Sequence, residues 1–302
     1  MNKITITGFS GFVGQNLIPY LEKEAYTVDT LSLRKQEWKQ EIPTDTVVFI
    51  HLAGKAHDTS NTSNAEEYFT VNRDKTMELF DLFLNSSAKD FFYFSSVKAV
   101  ADTVEGVLVE DVVPQPLTPY GQSKNEAEQY LLKAQLPEGK RVFIIRPCMI
   151  HGPGNKGNLN LLYKVVEKGI PWPLASFENH RSFLSIDNLC YLVEGMIKNQ
   201  SVASGVYNFA DDKALSTNEL VSLIANVSNR KPKLWYIPKG FMNTVATIGD
   251  KIKLPLNSER LKKLTENYVV SNHKIKEALQ IQHLPISAEE GLRRTIQSFS
   301  KL

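Results

Sequence analysis

Short apolar runs rich in β-branched and aromatic residues recur along the first half of the chain. They lie at Ile4–Thr7, Tyr26–Leu31, Val47–His51, Phe91–Ser95 and Val142–Ile145. Between them come segments with helical apolar spacing, including Phe12 to Glu24, Met77-Phe80-Leu84 and Ala127-Leu131. Buried strands that alternate with helices predict an α/β fold built on a doubly wound parallel sheet. Past Gly152 the pattern changes. Pro and Gly cluster at Gly152-Pro153-Gly154, at Gly169 to Pro173 and around Pro232, Pro238 and Pro255. Helical spacing returns at Ile186 to Lys198, Thr217 to Val227 and His273 to Leu279, and Val206–Phe209 reads as one more buried strand. The expected organisation is a sheet domain over residues 1–155 and a smaller C-terminal lobe over 156–302, partly interleaved with it. Pro19 falls inside the first helical segment and predicts a kink there.

Composition narrows the function classes. The 302 residues are 42% hydrophobic and 23% charged, with Lys+Arg 35 against Asp+Glu 33. A formal net charge of +2 provides no global field for nucleic acid or an anionic membrane, although it says nothing about local distribution. Two cysteines, Cys148 and Cys190, exclude a disulfide scaffold and a four-cysteine zinc site. No apolar stretch approaches the ~20 residues of a membrane helix, and the segment from Met1 to Gly8 is too short for a signal h-region. A cytoplasmic protein without membrane or nucleic-acid partners is expected.

The first strand runs into Thr7-Gly8-Phe9-Ser10-Gly11-Phe12-Val13-Gly14. Gly8 permits a tight turn off the strand, Gly11 lets backbone amides approach a pyrophosphate, and Gly14 lets the helix pack close to the sheet. Ser10, Phe12 and Val13 complete this dinucleotide loop. About 20 residues after the glycines an acidic residue normally holds the ribose 2′-hydroxyl. Ser32 stands there instead, followed by Arg34 and Lys35, while Asp29 lies earlier in the strand. A hydroxyl followed by cations suits a 2′-phosphate, so NADP(H) is favoured and NAD(H) remains an option.

Thr118 and Pro119 form a helix start, which places Tyr120 and Lys124 four apart on one face. A neighbouring ammonium is expected to pull the phenol down from ~10 and make it a proton donor or acceptor at an alcohol or ketone. The fourth strand ends in Ser95-Ser96, where a hydroxyl faces the ligand crevice of a doubly wound sheet. The histidines His51, His57, His151 and His180 show no metal-binding spacing, so no metal is expected.

In these motifs the chain resembles the extended short-chain dehydrogenase/reductases of the NAD-dependent epimerase/dehydratase family. The matching residues are Thr7 to Gly14, His51-Leu52-Ala53-Gly54, Asn72, Ser95-Ser96, Tyr120 to Lys124, Arg146-Pro147, Gly152-Pro153-Gly154, Asn158, Arg181-Ser182-Phe183 and Asp187-Asn188-Leu189. The resemblance implies a Rossmann sheet with a nucleotide-sugar lobe, and a catalytic triad of Ser96, Tyr120 and Lys124. It also implies cofactor contacts from Leu52, Ala53, Gly54, Asn72, Tyr120, Lys124 and Pro147, and a UDP-sugar held by Ser96, Asn158, Arg181 and Arg260. A homodimer through a four-helix interface is a further implication; the apolar stripes at Leu79–Leu84 and Ala127–Leu132 would suit it and equally suit packing on the sheet.

Dehydratases of this group carry an acidic pair after the catalytic hydroxyl, where this chain has Val97 and Lys98. The stretches Ser95–Lys98, Gly152–Asn158 and Gly169–Asn188 resemble bacterial 4-reductases of UDP-4-keto-6-deoxy-N-acetylhexosamines. Reduction of such a ketone by NADPH is therefore expected. A UDP-hexose or UDP-N-acetylhexosamine 4-epimerase with bound NAD and a non-catalytic NADP-binding scaffold are the alternatives.

Overall fold

A computed structural model describes residues 3–55, 64–155, 157–252 and 256–299; His57 lies outside them. The first half contains β1 (Lys3–Thr7), α1 (Phe12–Lys23), β2 (Thr27–Leu31) and β3 (Val48–His51). A continuous helical stretch follows, made of α2 (Ala65–Tyr68), a π-helical turn (Phe69–Asp74) and α3 (Lys75–Leu84). Then come β4 (Asp90–Phe94), β5 (Val107–Leu108), α4 (Pro119–Lys133) and β6 (Arg141–Pro147). The second half contains β7 (Met149–His151), α5 (Asn158–Glu167), β8 (Phe183–Ser185), α6 (Ile186–Lys198) and β9 (Gly205–Phe209). It ends with α7 (Thr217–Val227), α8 (Lys239–Ile252), α9 (Ser258–Thr265), β10 (Val269–Val270), α10 (His273–Leu279) and α11 (Ala288–Phe299).

Six parallel strands form the main sheet in the order β2-β1-β3-β4-β6-β9. The chain reverses its direction of travel at β1, which lies between β2 and β3, and a ligand crevice opens at the strand C-termini beside such a switch point. The strands bury both faces. Phe92 and Phe94 of β4 pack with Ile4, Ile6, Leu17 and Leu189, while Phe91 and Tyr93 pack with Phe49, Phe80 and Leu131. β9 closes one edge of the sheet and α6 packs on α1, so residues beyond 155 complete the first core. A separate core unites α5, α7, α8 and α11 through Leu159, Tyr163, Ile224, Met242 and Ile296.

Two features of the sequence reading gain detail. Helix α1 continues through Pro19. Pro19 and Gln15, whose carbonyl loses its donor, are both exposed, so water can take the place of the missing N–H. Of the two readings of the α3 and α4 stripes, packing on the sheet accounts for most of their residues. Leu79, Phe80, Phe83, Ala127 and Leu131 are buried against the sheet, and Tyr130 and Leu132 remain exposed.

Candidate active site

The phosphate loop is shaped by close backbone approach. Gly8 has φ +72°, and a Cβ on it would stand 2.5 Å from the Ala53 nitrogen. A Cβ on Gly14 would stand 2.6 Å from Phe9 Cα, so neither position tolerates a larger residue without backbone movement. Gly11 is the N-cap of α1, and it donates its N–H to Gly8 O at 3.0 Å. The first turn of α1, with Phe12 and Val13, has neither a side-chain cap nor an acidic residue, and Ser10 and Gly11 are exposed at its mouth. Open amides at a positive dipole end fit a pyrophosphate. Gly152, at the end of β7, lies against the Phe12 ring and brings the Gly152-Pro153-Gly154 turn to this loop.

The helix cap at Thr118 accepts from the Gly121 N–H, and Pro119 opens α4, which fixes the direction of Tyr120 and Lys124. The Tyr120 side chain is hydrogen-bonded to Ser96, which is the N-cap of a short 3₁₀ turn over Val97–Ala99. Lys124 is buried, donates to Phe94 O at 2.8 Å and lies 4.9 Å from the Tyr93 ring centroid. Ser96, Tyr120 and Lys124 therefore converge at the C-terminal end of β4. Burial brings Lys124 down to about 8. The phenol does not follow the expected direction. Burial is the largest influence on Tyr120 and raises it above its ordinary value, the Ser96 hydrogen bond opposes this, and Tyr68 adds to the rise. Its proton is held more firmly, which suits a donor.

Asn72, in the π-helical turn, holds the end of β3. Its Nδ2 donates to Lys55 O at 3.2 Å and to Ser123 Oγ at 3.1 Å, and its Oδ1 accepts from the Lys55 N–H at 2.7 Å. Gly54 lies directly against Asn72 Oδ1 and Lys124 Nζ. Below them His51 is fully buried, 2.6 Å from Thr7 Oγ1 at Nδ1 and 2.9 Å from Thr76 Oγ1 at Nε2. Thr76 spends its proton on Asn72 O, so Nε2–H donates to Thr76 and Nδ1 accepts from Thr7. Burial lowers His51 to about 3, which agrees with a neutral ring. This relay, and the packing of Tyr68 edge-on against Tyr120 at 6.2 Å, are invisible in the sequence pattern. The buried, bidentate Arg146–Glu128 pair ties α4 to β6 at 2.5 to 3.1 Å, and Pro147 is buried at the end of that strand.

The remaining residues are more dispersed. Ser32 is half-buried just past β2, and Arg34 is exposed. Asp29 bonds Lys3 at 2.9 Å, well back from the strand end. Asn158 is the first residue of α5, and its side chain lies outside the described residues. Arg181 donates to the Lys263 and Glu266 carbonyls near the end of α9 and lies 3.6 Å from the Glu266 carboxylate. Arg260 is exposed on α9. Lys98 donates to Asp102 O at 2.8 Å and sits 4.2 Å from the Tyr268 ring centroid. His151 bonds Thr295 at 2.9 Å, and Cys148 is buried with its thiol raised by burial. Among the described residues no three His, Cys, Asp or Glu side chains form a metal-binding group.

The model of the NAD dependent epimerase/dehydratase family matches residues 4–210. The chain belongs to this family. A UDP-glucose 4-epimerase of Vibrio cholerae is 32% identical over 98% of this chain and 95% of its own length. The structure titled MoeE5 in complex with UDP-glucuronic acid and NAD has 19% identity, covers 99% of both chains and superposes with a TM-score of 0.76. That of RMD from Pseudomonas aeruginosa complexed with NADPH has 20% identity, covers 100% of both chains and reaches 0.74. The fold is thus the Rossmann-type fold of extended short-chain dehydrogenase/reductase enzymes. The chain is an NAD(P)-dependent enzyme of the nucleotide-sugar epimerase and reductase type.

Proposed function

We propose that the protein reduces the C4 ketone of a UDP-4-keto-6-deoxy-N-acetylhexosamine with NADPH, giving a UDP-N-acetylquinovosamine or fucosamine type product for surface polysaccharide. The observation that carries this reading is the end of β2. Asp29, the nearest carboxylate in that strand, is bound to Lys3, and the chain offers Ser32 and an Arg34 without an ion pair among the described residues. That combination favours a 2′-phosphate, and hence a cofactor that exchanges at each turnover.

NADPH, when bound, is the two-electron reductant for C4. The chain's own groups handle the proton. Tyr120, raised by burial, delivers its phenolic proton to the C4 oxygen, so ketone, reduced cofactor and one proton become alcohol and oxidised cofactor. Ser96, hydrogen-bonded to Tyr120, orients that oxygen. Lys124 uses one N–H on Phe94 O and keeps others for ribose hydroxyls. Lys98 stands where a dehydratase has an acid and is held by Asp102 O, so that position offers no carboxylate for removing water.

The test is to mix the chain, NADPH and a 4-keto sugar nucleotide freshly made by a dehydratase. Stoichiometric loss of reduced cofactor with a C4 alcohol product is expected, and its absence overturns the proposal. The Vibrio cholerae relative favours a second reading, a UDP-sugar 4-epimerase. It requires NAD to co-purify and sugars to interconvert without net oxidation, which mass spectrometry of the released cofactor detects.

A further inference from the structure

Helix α8 carries two apolar stripes. Met242, Ala246 and Gly249 are buried, two of them in the lobe core. Phe241, Ile248 and Ile252 form a second stripe and are 61%, 49% and 63% exposed. At ~100° per residue these three and half-buried Val245 fall within about 60° of arc. Trp235 and Tyr236, a few residues before the helix, are 55% and 68% exposed. Isolated exposed apolar residues need no explanation, but five such side chains within one short segment do.

Charge accompanies the stripe. Residues 228–264 hold nine Lys and Arg against two Asp and Glu, which leaves 26 against 31 in the rest of the chain. The near-neutral total therefore hides a cationic segment on an acidic body. Among the described residues Arg230, Lys231, Lys233, Lys239 and Lys251 form no salt bridge, whereas Lys198, Lys213 and Lys276 elsewhere each hold a carboxylate. Arg230, Lys231 and Lys233 also line a cavity of about 200 Å³ together with half-exposed Ile170. Lys233 Nζ bonds Gly169 O, and Trp235 pairs through its backbone with Trp172, so this cavity adjoins the aromatic segment.

We propose that this face docks the protein on an anionic membrane surface. The cavity cations meet lipid phosphates, and Phe241, Ile248 and Ile252 with Trp235 and Tyr236 enter the headgroup boundary. Unpaired cations beside an amphipathic stripe with aromatic residues match that surface in charge and in polarity. Another protein copy would bring the same cations against themselves. Docking is peripheral, since no helix among the described residues is long and apolar enough to cross a membrane. The proposal is independent of the reaction proposed above.

The experiment is co-sedimentation of the full chain with phosphatidylcholine vesicles, with and without phosphatidylglycerol. Binding only to the anionic vesicles, weakened by salt, is expected. The double variant Ile248→Asp/Ile252→Asp is expected to bind about tenfold or more weakly. Lys231→Glu/Lys233→Glu should lose at least about tenfold as well. Both variants keep the thermal unfolding midpoint and the NADPH affinity of the parent. Equal binding to neutral vesicles, no binding at low salt, or charge-reversed protein that binds like the parent overturns the proposal. Self-association that disappears in Ile248→Asp/Ile252→Asp, without vesicle binding, assigns the face to a second copy instead.

Discussion

In the sheet domain Lys124, His51, Asn72 and the Arg146–Glu128 pair are all buried, and each is bonded to neighbours in the chain. Around α8, Arg230, Lys231, Lys233, Lys239 and Lys251 are exposed and form no salt bridge among the described residues, beside apolar side chains that are also in water. Burying a polar group without a partner costs more than its hydrogen bond returns, so these particular groups of the first region need their partners to stay buried. An exposed stripe carries no such requirement, and its chemistry is directed outward. The cofactor half is thus preorganised around one geometry, while the lobe presents a surface whose partner lies outside the chain.

The contrast can be broken most sharply at Tyr120. Tyr120→Phe removes the proton donor and leaves the ring packing on Tyr68, so kcat falls by about 10²- to 10⁴-fold while NADPH still binds. Single-turnover kinetics and fluorescence titration separate the two, and a variant retaining a third of parental kcat would show that another group delivers the proton. Glu128→Ala leaves the Arg146 guanidinium buried without its carboxylate, at a cost of about 3–5 kcal/mol in urea unfolding. Lys213→Ala, which cuts an exposed pair with Glu289, is expected to give no measurable change in the same assay. Equal costs would erase the distinction between buried and exposed pairs.

Acid sharpens it further. Between its ordinary value of 6.5 and about 3, His51 takes up a proton in the unfolded chain but not in the folded one. Stability attributable to it is therefore full above pH 6.5 and declines as pH falls, by about 1.4 kcal/mol per pH unit within the window. Urea midpoints of the parent and His51→Asn, compared from pH 7 to pH 4, should converge as the pH is lowered. At the cofactor mouth, Arg34→Ala raises KM for NADPH about tenfold and leaves KM for NADH unaltered. An equal rise for both cofactors would remove Arg34 as the 2′-phosphate ligand.

Much of the cofactor half was legible because its requirements are local. Gly8 turns the chain with a positive φ, Thr118-Pro119 starts α4, and Tyr120 and Lys124 share a face by helical spacing alone. What was not legible is non-local. The sequence suggests Arg181 as a sugar-nucleotide contact but does not show that carbonyls more than 80 residues away engage its guanidinium. The stripes of α3 and α4 read equally as a dimer face or a sheet-packing face because periodicity identifies an apolar side without naming what covers it. His51 carries no metal spacing, and nothing in the run Val47–His51 announces the threonines that bracket it.

The sequence by itself determined the alternation of strands and helices, the dinucleotide loop and the family, since each depends on backbone conformation and residue spacing within a few turns. Only the tertiary structure decided that burial raises Tyr120 rather than a cation lowering it, that Asp29 belongs to Lys3, and that one stripe of α8 faces solvent. Protonation and exposure depend on which distant atoms exclude water from a group, and that is a property of packing.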